Sequence, residues 1–194
     1  MIGTHDSLTY LKSNFFNELF SFVWRCQKKT LDEQYAENVR FFDIRITLKN
    51  KHWTFCHDKA TLKDFSFLSI DNLCKYFSEK YPDAYFRIIL ERGNEKVKKS
   101  FIDEITGLEH IYPALIWYGI KKPWTTLWFD ENIIKEIKEY NCCLFNWHVD
   151  KSFFHNIRHL NLGQTIKRYA EKNNPKITKK MISSKHILHL FDYV

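Results

Sequence analysis

The stretch Ile2-Gly3-Thr4-His5-Asp6-Ser7 opens the chain with a short apolar segment that ends in a polar cluster. Val39-Arg40-Phe41-Phe42-Asp43-Ile44-Arg45 repeats this arrangement, and Phe55-Cys56-His57 repeats it again. Because β-strands deliver the residues at their ends to one edge of a sheet or barrel, the clusters predict a common site. Two histidines, an arginine and an aspartate can cleave a phosphodiester through its own neighbouring hydroxyl. One histidine takes a proton, the other supplies one, and the guanidinium holds the phosphate charge.

The composition suits a single domain, 1–194, with an anionic partner. The chain has 194 residues and 44% apolar content, enough to bury one core. Its net charge of +7 and pI of about 9.1 suit a phospholipid headgroup or an anionic membrane surface, although a solvated lysine face would explain the charge as well. No zinc-finger, RNP or helix-turn-helix pattern is present, so we expect no nucleic-acid partner, and we expect a monomer.

The cysteines and the chain start indicate a cytoplasmic protein. An odd number of cysteines without paired spacing predicts reduced, mostly buried thiols, at Cys26, Cys56, Cys74, Cys142 and Cys143. The first cluster begins too early for a preceding signal peptide, and no apolar run is long enough to span a bilayer. We therefore expect a cytoplasmic location with peripheral membrane contact.

Hydrophobic periodicity alternates strands with helices. It predicts strands at 39–47, 53–57, 85–91, 114–118, 142–147 and 187–192, after a first stub at the start of the chain. It predicts helices at 8–24, 31–38, 70–80, 94–105, 130–140 and 161–173. This alternation favours an α/β fold with a mainly parallel sheet.

The order of the clusters resembles the catalytic X region of the phosphatidylinositol-specific phospholipase C family, its bacterial branch most of all. The matching segments are Gly3-Thr4-His5-Asp6-Ser7, Arg40-Phe41-Phe42-Asp43-Ile44-Arg45, His57 and Leu190-Phe191-Asp192-Tyr193. The first two are specific in combination, and the match spans most of the chain, loosely in its middle third. The resemblance implies a compact, irregular or incomplete TIM-like (β/α) barrel, since the chain is shorter than the roughly 250 residues typical of that fold.

The resemblance also implies a catalytic set. His5 is the general base on the inositol 2-hydroxyl, and Asp6 lies near the leaving oxygen and helps His57 act as the acid. Arg45 contacts the non-bridging phosphate oxygens, and Asp192 orients and polarises His5. The implied reaction cleaves a phospholipid headgroup through a cyclic phosphate.

The metal requirement depends on two positions. By the resemblance, Arg45 stands where the calcium-dependent animal branch has a carboxylate ligand, and a fixed guanidinium replaces the metal's charge, so we expect no obligatory metal. Glu91 stands where that branch has a glutamate ligand and the bacterial branch a lysine. Either Glu91 bridges to Arg45, or Arg92 turns inward in place of the lysine. The alternative is a calcium site formed by Asp6, Asp43 and Glu91.

Four residues are candidates for substrate binding: Asp43, Glu91, Arg92 and Trp147. Asp43 shares a strand face with Arg45, where it is either a support for the site or a structural ion pair. Trp147, with Trp117 as an alternative, is a candidate for gripping the headgroup ring. His52 is a rival for the role of His57.

Two further features leave alternatives open. Asp58 follows His57 where the family has glycine, and its carboxylate would favour protonated His57. The predicted helix 8–24 is aromatic on more than one face, which reflects packing on the barrel or insertion into a membrane interface beside Lys12, Arg25, Lys28 and Lys29.

Two other functions remain open. One is a metal-dependent glycerophosphodiester-type phosphodiesterase, which EDTA would inhibit. The other is a catalytically idle lipid-binding module. The acid–base residues argue against the second function, because a binder needs no pair of histidines.

Overall fold

The computed structural model describes residues 2–4, 6–19, 21, 25–57, 59–121, 144–147 and 187–191. His5, Asp58, Asp192 and the predicted helices at 130–140 and 161–173 lie outside these residues. The described strands are β1 (Ile2–Thr4), β2 (Phe41–Lys49), β3 (His52–His57), β4 (Ala60–Phe67), β5 (Tyr85–Leu90), β6 (Leu115–Ile120), β7 (Leu144–Trp147) and β8 (Ile187–Phe191). The described helices are α1 (Phe15–Leu19), α2 (Leu31–Ala36), α3 (Ile70–Lys80), α4 (Glu95–Ile105) and α5 (Leu108–Ile111).

One mixed sheet contains all eight described strands. Its parallel strands lie in the order β6-β5-β2-β1-β8-β7, so each strand except β6 neighbours the next parallel strand of the chain, and β8 returns to β1. This is the strand order of a (β/α) barrel. No pairing joins β6 to β7 in the described segments, so the described strands do not by themselves close a barrel. The prediction of a mainly parallel, incomplete TIM-like sheet agrees with this arrangement.

The two faces of β2 have different surroundings. Phe42, Ile44 and Ile46 belong to the hydrophobic core that the helices cover. Asp43 and Arg45 alternate with them and are also buried, so they lie on the opposite, inner face of the sheet. The inner face therefore carries buried charge, which requires paired partners.

Local capping signals place the helices. Thr30 and Glu33 form a capping box at the start of α2, and Ser69 and Asn94 accept backbone hydrogen bonds at the starts of α3 and α4. The predicted helices at 70–80 and 94–105 are confirmed. None of the described helices is long and apolar enough to cross a bilayer.

The helix predicted over 8–24 is wrong in its first part. Residues 6–11 form turns, closed by hydrogen bonds from Thr9 N to Asp6 O and from Leu11 N to Leu8 O, both 3.0 Å. Helix α1 begins only at Phe15. Turns replace the helix here, because the Asp6 and Ser7 amides are hydrogen-bonded to Asp43 of β2.

The β2–β3–β4 segment is antiparallel, which the sequence did not predict, and β4 was not predicted at all. Asn50 and Lys51 have φ values of 50° and 63°, as the two central residues of a tight hairpin turn require. Because β3 runs back along β2, His57 returns toward Arg45. His57 thus reaches the inner face from an antiparallel strand.

Candidate active site

The loop that follows β1 is fixed by Asp43. The Asp6 amide donates to Asp43 Oδ2 (3.1 Å), and the Ser7 amide donates to the Asp43 carbonyl (3.0 Å). In return, the Asp43 amide donates to Ser7 Oγ (2.8 Å). Asp6 has a φ of 46°, in the left-handed region that aspartate tolerates better than most residues. These bonds hold the Asp6 side chain on the inner face of the sheet.

Gln34 of α2 gives the loop a second anchor. Its Nε2 donates to the Ser7 carbonyl (2.9 Å), and its Oε1 accepts from Thr4 Oγ1 (2.7 Å). Gln34 is fully buried. Sequence reasoning missed this residue, because no motif marks it and its role depends on how α2 packs against the loop.

Arg45 lies between three carboxylates. Its Nε and Nη2 donate to Asp43 Oδ2 at 3.2 and 3.1 Å, and its Nη1 donates to Glu91 Oε2 at 3.2 Å. Nε also forms an ion pair with Asp6 Oδ1. Burial would lower the pKa of Arg45, but Asp43, Asp6 and Glu91 together raise it, so the guanidinium is permanently charged.

Two further cations complete the cluster, and sequence reasoning found neither. Arg87 Nε donates to Asp43 Oδ1 at 2.6 Å, and Lys121 Nζ pairs with Glu91 Oε1. In the described part of the site, three carboxylates are thus balanced by three permanent cations. The protonation of His57 consequently decides whether this group is neutral or carries one positive charge.

His57 lies against Asp6 at the edge of the cluster. Its Nε2 is 2.8 Å from Asp6 Oδ2, and its side chain is 15% exposed. Burial alone would lower the pKa of His57, but the charge of Asp6 and its hydrogen bond outweigh burial, so the pKa lies above its ordinary value. The Nδ1 atom is buried and has no hydrogen-bond partner among the residues that the structure describes. A buried polar atom without a partner is rare, and a catalytic role is one explanation for it.

Cys26 also borders Asp6. Its thiol donates to Asp6 Oδ2 at a sulfur–oxygen distance of 3.6 Å, and the residue is 2% exposed. The expectation of reduced, buried thiols agrees with the three cysteines that the structure describes, Cys26, Cys56 and Cys74.

The remaining sequence candidates lie apart or are undescribed. Arg92 donates to Lys59 O (2.8 Å) and Thr61 Oγ1 (2.6 Å) on the β4 side, so Glu91, and not Arg92, joins Arg45. His52 lies at the far end of β3, roughly 16 Å along the strand from His57 at about 3.3 Å per residue, and its Nδ1 contacts Asn50 O. The backbone of Trp147 ends β7, two strands from β1.

The pairing of β8 bears on the two undescribed catalytic candidates. Phe191 pairs with Thr4 in a parallel register. Asp192 and His5 are the next residues in the sequence, and both lie outside the described residues. Their predicted contact stays a prediction.

The alternative calcium site does not fit the residues present. Asp6, Asp43 and Glu91 all direct oxygens at the Arg45 guanidinium, which occupies the position that a cation would take between them. A divalent cation there would lie against the permanent positive charge of Arg45. Another set of potential ligands exists among the described residues: Asp6, Cys26 and His57 have ligand atoms within 4.8 Å of one another.

Comparisons with known proteins establish the fold. No protein-family model matches the sequence, and no curated protein matches it. The phosphatidylinositol-specific phospholipase C from Listeria monocytogenes is similar in structure, with a TM-score of 0.61 and 16% sequence identity over 100% of this chain and 87% of that chain. The N254Y/H258Y double mutant of the enzyme from S. aureus has a TM-score of 0.60 and 14% identity, over 100% and 84%.

A further S. aureus structure, which concerns modulation of the membrane binding of that phospholipase, has a TM-score of 0.61 and 15% identity over 100% and 85%. At these identities the likeness concerns the fold alone. The chain therefore shares the fold of bacterial phosphatidylinositol-specific phospholipases C, as the sequence motifs led us to expect.

Proposed function

We propose that this protein is a phospholipase C-like phosphodiesterase that cleaves a phospholipid headgroup, with phosphatidylinositol as the first candidate substrate. One observation carries the proposal: His57 is bound through Nε2 to Asp6, has an Nδ1 atom that no described residue contacts by a hydrogen bond, and lies beside the charged Arg45 cluster. A carboxylate-backed imidazole next to a buried guanidinium suits proton donation to the leaving oxygen of a phosphodiester.

Proton transfer follows from these contacts. The Asp6 carboxylate accepts from Nε2, so Nδ1 carries a proton only in the imidazolium form of His57. By the resemblance, His5 removes a proton from a headgroup hydroxyl, whose oxygen then forms a bond to phosphorus. The bond from phosphorus to the diacylglycerol oxygen breaks, and this oxygen takes the Nδ1 proton. The products are a cyclic phosphate and diacylglycerol, with one proton gained by His5 and one lost by His57.

Arg45 is the proposed charge stabiliser, without an obligatory metal. Its guanidinium holds the position between carboxylates where the alternative calcium ion would bind. Asp43 and Glu91 orient this guanidinium, and Asp192 is proposed to orient His5, as the resemblance implies. Trp147 stays a candidate contact for the headgroup ring.

Peripheral membrane contact is part of the proposal, together with a cytoplasmic location. Helix α1 exposes Phe15 (73%), Phe16 (75%) and Leu19 (56%), and Lys12 beside it is also exposed. Exposed aromatic side chains next to a basic residue favour the interface of an anionic bilayer. This helix follows directly after the Asp6 loop, so its contact with a membrane would bring headgroups near the site.

The test is ³¹P NMR of vesicles that contain phosphatidylinositol, with the wild-type protein and with His57→Ala in EDTA-containing buffer. We expect a cyclic inositol phosphate signal with the wild-type protein and none with the variant. Activity that requires added calcium would favour the metal-dependent phosphodiesterase. Vesicle binding without any product would favour the idle binding module, and either result would overturn the proposal.

A further inference from the structure

The proposed reaction gives no role to Cys26, although its thiol contacts the same carboxylate as His57. Cys26 Sγ lies 3.6 Å from Asp6 Oδ2, and His57 Nε2 lies 2.8 Å from the same oxygen. One ligand atom from each of the three residues lies within 4.8 Å of the others. The set combines a thiol, a carboxylate and an imidazole.

The main chain fixes this arrangement. The Cys26 and Gln27 amides both donate to Thr9 Oγ1, at 2.9 and 2.8 Å, and Thr9 Oγ1 donates to the Asp6 carbonyl at 2.9 Å. One buried hydroxyl thus ties the segment that carries the thiol to the loop that carries the carboxylate. The juxtaposition of Cys26 and Asp6 is therefore built by several hydrogen bonds and does not depend on the thiol contact alone.

The geometry approaches that of a transition-metal site. Zn²⁺ binds sulfur at about 2.3 Å and nitrogen or oxygen at about 2.0 Å, so tetrahedral ligands lie roughly 3.5 Å (S to O) and 3.3 Å (N to O) apart. The Cys26–Asp6 separation of 3.6 Å already meets the first value, and the His57–Asp6 separation of 2.8 Å must open slightly. Ca²⁺ and Mg²⁺ prefer oxygen ligands, so a thiol among three ligands selects a softer ion.

We propose that Asp6, Cys26 and His57 bind a thiophilic divalent transition metal of the Zn²⁺ type, and that the bound metal inhibits the protein. Binding releases the thiol proton of Cys26 and, where His57 is protonated, its Nε2 proton, because both ligands must present a lone pair; a neutral ring instead moves its proton to Nδ1. A metal-bound imidazole can no longer become the imidazolium that donates a proton. The binding site stands independently, whereas the inhibition rests on the proposed function.

Binding is tested with Co²⁺, whose bond to a thiolate gives a charge-transfer absorption band. We expect one equivalent of Co²⁺ to produce this band in the full chain, and Zn²⁺ to displace it. Cys26→Ser should weaken binding by about 100-fold or more, since a hydroxyl is a much poorer ligand for these ions than a thiolate. Cys74→Ser, which changes another buried thiol, and the double variant Cys142→Ser/Cys143→Ser should retain the band.

The results decide the two parts separately. The proposed metal site would be refuted if the wild-type protein gave no band. It would also be refuted if Cys26→Ser, with the circular dichroism spectrum of the wild type, gave an unchanged band. In the vesicle assay, Zn²⁺ should inhibit the wild-type protein and Cys74→Ser, but not Cys26→Ser, and EDTA should restore the rate. If Zn²⁺ inhibited Cys26→Ser as strongly as the wild-type protein, the claim that a metal at this site causes the inhibition would be refuted. If no product forms under any condition, the proposed function fails while the Co²⁺ titration still decides the metal site.

Discussion

Replacing Arg45 by alanine should destabilise the protein as well as inactivate it. The guanidinium is buried and contacts Asp6, Asp43 and Glu91. Its removal leaves three carboxylates without the cation that they share. Breaking a buried ion pair by removing one partner costs about 3–5 kcal/mol.

The structure favours the lower end of that range, because each carboxylate keeps another cationic partner. Asp43 keeps Arg87 and Glu91 keeps Lys121. The third carboxylate, Asp6, keeps the imidazole of His57, whose raised pKa favours the protonated, positively charged form. A domain of this size loses about 2–4 °C in Tm per kcal/mol, so a loss of about 3 kcal/mol lowers the Tm of Arg45→Ala by roughly 6–12 °C. The rate should fall about 10²–10³-fold, as when an oxyanion-hole donor is lost.

The measurement combines thermal unfolding by circular dichroism with the vesicle assay. Arg45→Lys separates the effect on stability from the effect on the rate. The lysine keeps a positive charge among the carboxylates, so this variant should recover part of the lost Tm. Its ammonium group cannot bridge the carboxylates as the planar guanidinium does, so its rate should remain low. Arg40→Ala is the matched control, since the Arg40–Asp83 ion pair is partly exposed and weak. An Arg45→Ala protein with the Tm of the wild type would refute the carboxylate cluster.

Three further predictions concern proton transfer. His57→Ala should reduce the rate by several orders of magnitude, beyond the roughly 10²–10⁴ of one proton transfer, because base and acid act together, whereas His52→Ala should change it little. Asp6→Asn should lower the pKa of His57 and so move the alkaline limb of the kcat/KM profile to lower pH. The contact with Asp6 stabilises the wild-type protein fully below the ordinary pKa of histidine, and this stability is lost as pH rises through the raised pKa of His57; Asp6→Asn should remove it. Asp192→Asn should reduce kcat with little effect on vesicle binding, because an amide cannot stabilise protonated His5.

Each of these has an opposite outcome that would count against it. Normal turnover in His57→Ala together with a loss in His52→Ala would move the acid to the other end of β3. An unmoved alkaline limb in Asp6→Asn would mean that Asp6 does not set the proton affinity of the ring. Full activity in Asp192→Asn would show that His5 works without this partner.

The sequence predicted the parallel part of the fold well, because local signals specify it. The capped helix Ile70–Lys80 and the strand Tyr85–Leu90 coincide with apolar periodicity and nearby caps. The β2–β3–β4 segment was harder to predict, since the residue pattern of 39–67 does not indicate whether a strand runs parallel or antiparallel to its neighbour. The turn depends on positive φ at Asn50 and Lys51, and lysine, unlike glycine, asparagine or aspartate, does not predict such a turn.

The site was predictable where chemistry is carried by motifs, and unpredictable where it depends on pairing across the sheet. Asp6, Arg45 and His57 were named from short motifs, and the structure places them in contact. Gln34 and Lys121 have no motif. They join the site because α2 packs under the first loop and because β6 ends beside β5, which are facts of three-dimensional packing.

In the proposed reaction, the balance of charge would link substrate binding to catalysis through one proton. In the described part of the site, the carboxylates and permanent cations cancel, so the net charge is positive only when His57 is protonated. A phosphodiester carries one negative charge and is bound best by that form. The same form is the one that can donate from Nδ1. Asp6 raises the pKa of His57 and so favours its protonated form. That one proton would both attract the negatively charged substrate and serve as the proton that the general acid donates. Among the described residues, the cluster around Arg45 thus leaves His57, at its partly exposed edge, as the group whose proton changes the net charge.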